Sequence, residues 1–162
     1  MARAFVFGDN IDTDLLAPGH AMKLEPHAMA RFCLEAVDPS FASTVKPGDI
    51  VVAGRNFGMG SSREQAAISL KLLGVSAVFA QSFARIFFRN AINAGLPALV
   101  LPDADAIRAG DDIAFDLGAG VLDDLTQQRR HAFQALPPHL LALIQDGGLV
   151  PNLMRRFAKA AP

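Results

Sequence analysis

Tryptophan and tyrosine are absent from the 162 residues, and cysteine occurs once, as Cys33. A lone cysteine excludes an intramolecular disulfide. It also excludes an all-cysteine iron–sulfur or zinc site built by this chain alone. Phenylalanine must therefore supply all the aromatic packing. An excess of either charge is missing as well: fifteen Lys and Arg stand against sixteen Asp and Glu, for a formal net charge of −1. That balance gives no bulk electrostatic reason to expect nucleic acid or an anionic membrane surface as a partner. No run of eighteen apolar residues occurs, and the opening MARAFVFGDN has no long apolar signal core. These absences lead us to expect a soluble, reduced, cytoplasmic protein.

What is present is globular in composition, with 51% hydrophobic and 19% charged residues, enough apolar material for a sizeable core. The length suits one domain over residues 1–162, because two would leave each half little core. Short apolar runs alternate with helical patterns between Gly and Pro punctuation. Residues 3–7, 50–53, 75–80 and 97–101 read as strands, and 27–37, 62–73 and 83–93 as helices; residues 11–25 read as a loop. The central order of strand, loop, helix, strand, helix, strand argues for parallel pairing with covering helices, an α/β fold. After residue 110, the runs 112–117 and 121–125 suggest a hairpin. A short helix follows over 139–145, and the basic tail 155–159 reads as a solvated terminal segment.

The most informative segment is Gly54-Arg55-Asn56-Phe57-Gly58-Met59-Gly60-Ser61-Ser62-Arg63-Glu64, between an apolar strand and a helix. Its glycines let the backbone approach a ligand closely. A helix start with Ser61, Ser62 and Arg63 suits a carboxylate or phosphate, and Arg63 can grip a carboxylate through two parallel hydrogen bonds. The same residues also fit helix capping, since Ser61 with Glu64 and Ser62 with Gln65 have capping-box spacing. Two serines exceed what one cap needs, however, and an Arg in a first helical turn calls for a compensating anion. The Walker A, dinucleotide and nucleophile-elbow patterns all fail here.

A second constellation is Gly8-Asp9-Asn10-Ile11-Asp12-Thr13-Asp14. Its spacing does not fit an EF-hand loop. Asp9 and Asp12 read as turn and cap residues, whereas Asp14, beside Thr13 at the mouth of a Pro-Gly loop, is the better candidate for chemistry. His20, His27, His131 and His139 show no metal-ligand spacing, so no metal ligands are expected in this chain. Phe83, Phe87 and Phe88 recur at helical spacing and belong to the core.

Together, Gly8-Asp9-x-Ile11-Asp12-Thr13-Asp14-x-x-x-Pro18-Gly19 and Gly54-x-Asn56-Phe57-Gly58-x-Gly60-Ser61-Ser62-Arg63-Glu64 resemble the small subunits of 3-isopropylmalate dehydratases. Those subunits correspond to the swivelling C-terminal domain of aconitases. Ala80-Gln81-Ser82-Phe83-Ala84-Arg85-Ile86-Phe87-Phe88-Arg89-Asn90 and Asn93-x-Gly95-Leu96-Pro97 also look like this family. The resemblance implies a three-layer β/β/α swivelling domain. It implies a hydro-lyase that dehydrates a small 2-hydroxy dicarboxylic acid and returns the hydroxyl to the neighbouring carbon, as in leucine biosynthesis. It further implies a large subunit whose cysteines carry a [4Fe–4S] cluster, so that this chain binds no cofactor itself. On the same ground Ser61 is the base, Ser62 helps to orient the substrate, Arg63 pairs with a substrate carboxylate, and Thr13 and Asp14 line the site. Gly60 and the loop His20-Ala21-Met22-Lys23 are implied to contact substrate.

Two departures matter. Many relatives have Cys where Met59 stands, which touches no expected ligand. Aconitases have a serine three residues after the Thr-Asp pair, where Ala17 stands here, and this argues against citrate. Lys23 falls about where homoaconitase-type relatives hold an extra carboxylate, although a solvated loop lysine fits equally. Citramalate or citraconate, dimethylmalate and homoaconitate therefore remain alternative substrate types beside isopropylmalate. A stand-alone anion-binding module is the reading from a different class.

Overall fold

The computed structural model describes residues 1–161. In chain order the elements are β1 (Ala2–Val6), α1 (Thr13–Leu16), a 3-10 turn (Gly19–Ala21), α2 (Pro26–Ala30), α3 (Phe41–Thr44), β2 (Ile50–Ala53), α4 (Gln65–Leu72), β3 (Ala77–Ala80) and α5 (Arg85–Asn93). They continue with β4 (Ala98–Val100), a 3-10 turn (Ala104–Ala106), β5 (Asp112–Asp116), β6 (Val121–Asp124), β7 (Arg129–Ala132), α6 (Pro138–Gln145) and α7 (Leu149–Ala160).

The strands form one sheet in the order β4-β3-β2-β1-β5-β6-β7. β1 to β4 run parallel, with Ala4 opposite Ile50, Val51 opposite Val78 and Phe79 opposite Leu99. β5, β6 and β7 are antiparallel, and β5 joins the sheet by pairing Ile113 with Ala2. β2 and β3 are buried along their whole length, which is why they read as unbroken apolar runs.

Alternation along those strands divides the core. Val51, Ala53, Val78 and Ala80 face the helices, where they meet Leu16, Phe41, Leu70 and Phe87. Ile50, Val52, Ala77 and Phe79 face the other way, against Ile113, Leu122 and Phe133 of the antiparallel flank. Phe79 meets Phe115 and Phe133 edge-on at centroid distances of 5.4 and 5.3 Å. β5 is not a neighbour of β3 in the sheet, so the flank must curl back over it. Helices, parallel sheet and curled flank make the three layers, β/β/α.

Several sequence-based boundaries shift for identifiable reasons. The helix expected over 27–37 ends at Ala30 and gives way to turns. Leu34 takes φ +60° with its side chain fully buried, and its N–H donates to the Leu15 carbonyl at 2.8 Å. A tertiary hydrogen bond has won over helical continuation there. The expected loop 11–25 contains α1 and a 3-10 turn. The strand β7 went unforeseen because its sequence, RRHA, is charged; it is an edge strand with both arginines exposed. The basic tail is solvent-exposed, as expected, and forms the second half of α7.

Candidate active site

The site lies past the carboxyl ends of β1, β2 and β3, the usual place for ligands in parallel α/β sheets. Three loops meet there and are stitched together. The Asp9 carboxylate accepts from the Arg55 N–H at 2.7 Å, and the Asn10 N–H donates to the Arg55 carbonyl at 2.8 Å. The Asn56 amide donates to Asn10 Oδ1 at 2.9 Å, and the Gly58 N–H to the Ile11 carbonyl at 2.7 Å. From the third loop, Ser82 Oγ accepts from the Asn56 N–H at 2.8 Å. Asn10 and Asn56 both sit at positive φ, a conformation asparagine tolerates unusually well. Sequence reasoning assigned no role to Asn10, Asn56 or Ser82; Asn56 and Ser82 stood only as members of the family-like motifs, and Asn10 only as a turn residue.

Gly58 shows why this loop needs glycine. Its φ is +82°, and a Cβ would lie 2.1 Å from Cγ of Phe87. Phe87 in turn packs against Phe57 and Phe83, so the loop rests on an aromatic floor. Of the three phenylalanines expected in the core, Phe87 is buried there, and Phe83 and Phe88 are half-buried against it.

The stitching brings the two motifs into contact. The Asp12 carboxylate caps α1 by accepting from the Leu15 N–H at 2.8 Å, which starts the turn that presents Thr13. The Thr13 N–H donates to the Met59 carbonyl at 2.8 Å. Thr13 is buried, and its hydroxyl lies 3.1 Å from Ser61 Oγ. Gly60, Ser61 and Ser62 are exposed beside it. Arg63 is half-buried; Nη1 donates to the Asp14 carboxylate and, at 3.0 Å, to the Ala17 carbonyl. Five of the expected residues thus come together on one ledge, with Asp14, Ser61 and Ser62 exposed, Arg63 half-buried and Thr13 buried.

Here the structure corrects the capping interpretation. α4 starts at Gln65 and its N-cap residue, Glu64, makes no side-chain cap bond. Neither serine closes a capping box, and Arg63 precedes the helix rather than opposing its dipole from the first turn. Ser61 therefore has no structural duty as a cap, and its one side-chain hydrogen-bond partner among the described residues is the Thr13 hydroxyl.

The expected substrate loop is divided. His20 is exposed, with Nε2 2.7 Å from Glu35 Oε1 and its ring edge-on to Phe32. Met22 is half-buried against the helix-side core, and Lys23 is exposed with no ion pair among the described residues. The Ala21 side chain is fully buried, so contrary to expectation it cannot line a substrate surface; the 3-10 turn rotates it inward.

Among the described residues, no three His, Cys, Asp or Glu side chains gather as a metal site. Cys33 is fully buried, and burial pushes its thiol up, which disfavours the thiolate that a metal requires. No described helix is long and apolar enough to cross a membrane.

Comparison with known proteins fits this geometry. The family model of the aconitase C-terminal domain matches residues 14–104. A 3-isopropylmalate dehydratase small subunit of Nautilia profundicola is 48% identical over 158 residues, covering 97% of this chain and 95% of that one. A 2,3-dimethylmalate dehydratase small subunit of Eubacterium barkeri is 50% identical over 148 residues, covering 90% and 91%. The crystal structure of 3-isopropylmalate dehydratase from Methanocaldococcus jannaschii superposes with a TM-score of 0.93 at 39% identity, over 98% of this chain and 95% of that one. The chain belongs to the aconitase C-terminal domain family, among the small subunits of dehydratases.

Proposed function

We propose that this chain is the small subunit of a heteromeric 3-isopropylmalate dehydratase, a hydro-lyase of leucine biosynthesis. It would act in the cytoplasm as one swivelling domain and interconvert 2-isopropylmalate and 3-isopropylmalate by dehydration and rehydration. The observation that carries this reading is the 3.1 Å contact between the Thr13 and Ser61 hydroxyls beside Arg63. The site has a candidate base, a donor to steady it and a carboxylate grip, all on an open ledge.

Ser61 is the base that takes the proton from carbon. A serine hydroxyl is a poor base in water, so the site must favour its alkoxide. A hydrogen bond donated by Thr13 and the positive charge of Arg63 both act in that direction. Arg63 pairs with a substrate carboxylate, releasing Asp14 while the Ala17 carbonyl keeps the guanidinium in place. As the proton leaves, charge grows on that carboxylate, and Arg63 meets it. Ser62 and the Gly60 backbone orient the substrate. His20, Met22 and Lys23 recognise its substituent.

Removing the hydroxyl needs a Lewis acid, and the residues of this chain do not fit a [4Fe–4S] cluster: they offer one cysteine, buried and with its thiol pushed up. The cluster is assigned to the large subunit. The 50% identity to a 2,3-dimethylmalate dehydratase small subunit favours one second reading, the same chemistry on that hydroxy acid.

The test is anaerobic purification of the tagged chain from its native cell, followed by assays with isopropylmalate, dimethylmalate, citraconate and homoaconitate. A stoichiometric larger partner, a brown iron–sulfur absorbance and turnover of isopropylmalate are expected. A colourless chain without a partner overturns the proposal.

A further inference from the structure

α7 is packed for only part of its length. Its beginning is well anchored: Asp146 accepts from the Asn152 amide at 2.8 Å and pairs with Arg155. The Lys71 ammonium, at the end of α4, donates to the carbonyls of Ala94 and Gly147 and ties α4 to the turn before α7. From Met154 to Ala160, however, every residue is exposed. Unpacked helical turns of this length are marginal in water, so their sequence should show what they pack against.

That sequence is sharply two-faced. Val150, Met154 and Phe157, spaced i, i+4, i+7, form one apolar stripe and are 64%, 67% and 71% exposed. Arg155, Arg156 and Lys159 lie on the opposite side. Val150 also lines a groove of about 520 Å³ between α4 and α7. From α4 and its N-cap it is lined by Glu64, Ile68, Lys71 and Leu72, and from α5 by Asn93. The lining thus reaches Glu64, the residue after Arg63, and meets the stripe at Val150.

We infer that this groove and the Val150–Met154–Phe157 stripe are the docking surface for the large subunit, which would lay an apolar element between α4 and α7; this rests on the function proposed above. Continuity selects that occupant: Glu64, in the groove lining, directly follows Arg63, and on the proposed function the large subunit must cover that loop to complete the site. The three stripe side chains alone offer far less than the roughly 800 Å² per partner of a standard interface, so they extend that larger contact. An apolar element in a groove between two helices is a familiar mode of recognition, and the basic face of α7 would stay in water.

The test measures association of the complete small and large subunits, anaerobically, by analytical ultracentrifugation. Met154→Glu and Phe157→Glu, both on exposed positions, are expected to weaken association roughly tenfold or more while kcat at saturating large subunit stays unchanged. Lys159→Ala, on the other face, is expected to change neither. Unchanged association of the two Glu variants overturns the inference. So does a wild-type small subunit that self-associates through the stripe, or one that floats with phosphatidylglycerol vesicles through it. If the wild-type pair assembles but turns over no hydroxy acid, the proposed function falls while the docking result stands. If the wild-type pair turns over and the Glu variants bind as tightly, only the docking surface falls. Failure of the wild-type pair to assemble overturns both.

Discussion

Residues 8–14 and 19–24 are separated by a few positions, yet they are held on different terms. The first segment is bonded across to residues 54–60 through Asp9, Asn10, Ile11 and Thr13. Among the described residues, the second has only local turn hydrogen bonds, such as Ala21 N–H to the Pro18 carbonyl and Leu24 N–H to the Ala21 carbonyl, besides the exposed His20–Glu35 pair. The cross-bonded segment carries Thr13 and Asp14, the partners of Ser61 and Arg63, to which proton transfer and the carboxylate are assigned. The loosely tied part carries the residues assigned to the substituent. Such a division lets one scaffold keep its chemistry while the substrate changes. Relatives named for isopropylmalate and for dimethylmalate stand at 48% and 50% identity, so overall similarity does not separate the two substrates.

The comparison breaks most readily at Ser61. Ser61→Ala should lower kcat roughly 10²- to 10⁴-fold, the range for a lost general base, with assembly intact by ultracentrifugation. A retained rate would remove proton transfer from the stitched loops. Gly58→Ala attacks the stitching itself, since the new Cβ would meet Phe87 and the φ is unfavourable. A loss of about 3 kcal/mol in urea unfolding is expected. Thr13→Val keeps the shape and removes the hydroxyl; kcat should drop about tenfold, and Thr13→Ser should restore it. Equal rates for the two variants would show that the hydroxyl contact is idle. The mildest effect is at Lys23. Lys23→Ala should leave stability within about 0.5 kcal/mol and spare alkyl malates, while KM for a tricarboxylate rises about fivefold. An equal change for both substrate types would remove specificity from this loop.

How far the sequence foretold this arrangement depends on whether the signal was local. β2 and β3 are legible because unbroken apolar runs end in turn residues. The ledge is legible because Gly, Ser and Arg at a strand–helix junction form an unusual set. The resemblance to dehydratase small subunits joined Thr13 to Ser61 before any distance was known. The Asn10–Asn56 bond was not legible, because either residue alone is an ordinary turn asparagine. The premature end of α2 depends on Leu15, far from Leu34 in sequence. β7 hides because an edge strand can afford charge on its open side. The capping-box spacing misled for a related reason: Arg63 is bonded to Asp14 and Ala17, far from it in sequence, and the helix begins only at Gln65.

The position of β1 has a consequence for how the protein is made. β1 leaves the ribosome before the six other strands of this sheet, yet it is an inner strand of the finished sheet, between β2 and β5. It acquires β2 early but must wait for Ile113 before its other side is paired. The residues assigned to chemistry are thus synthesised well before the layer that seals the back of their sheet. Nascent chains and C-terminal truncations ending before residue 112 would expose Ile50, Val52 and Phe79 to water, an invitation to aggregation and a natural target for chaperones.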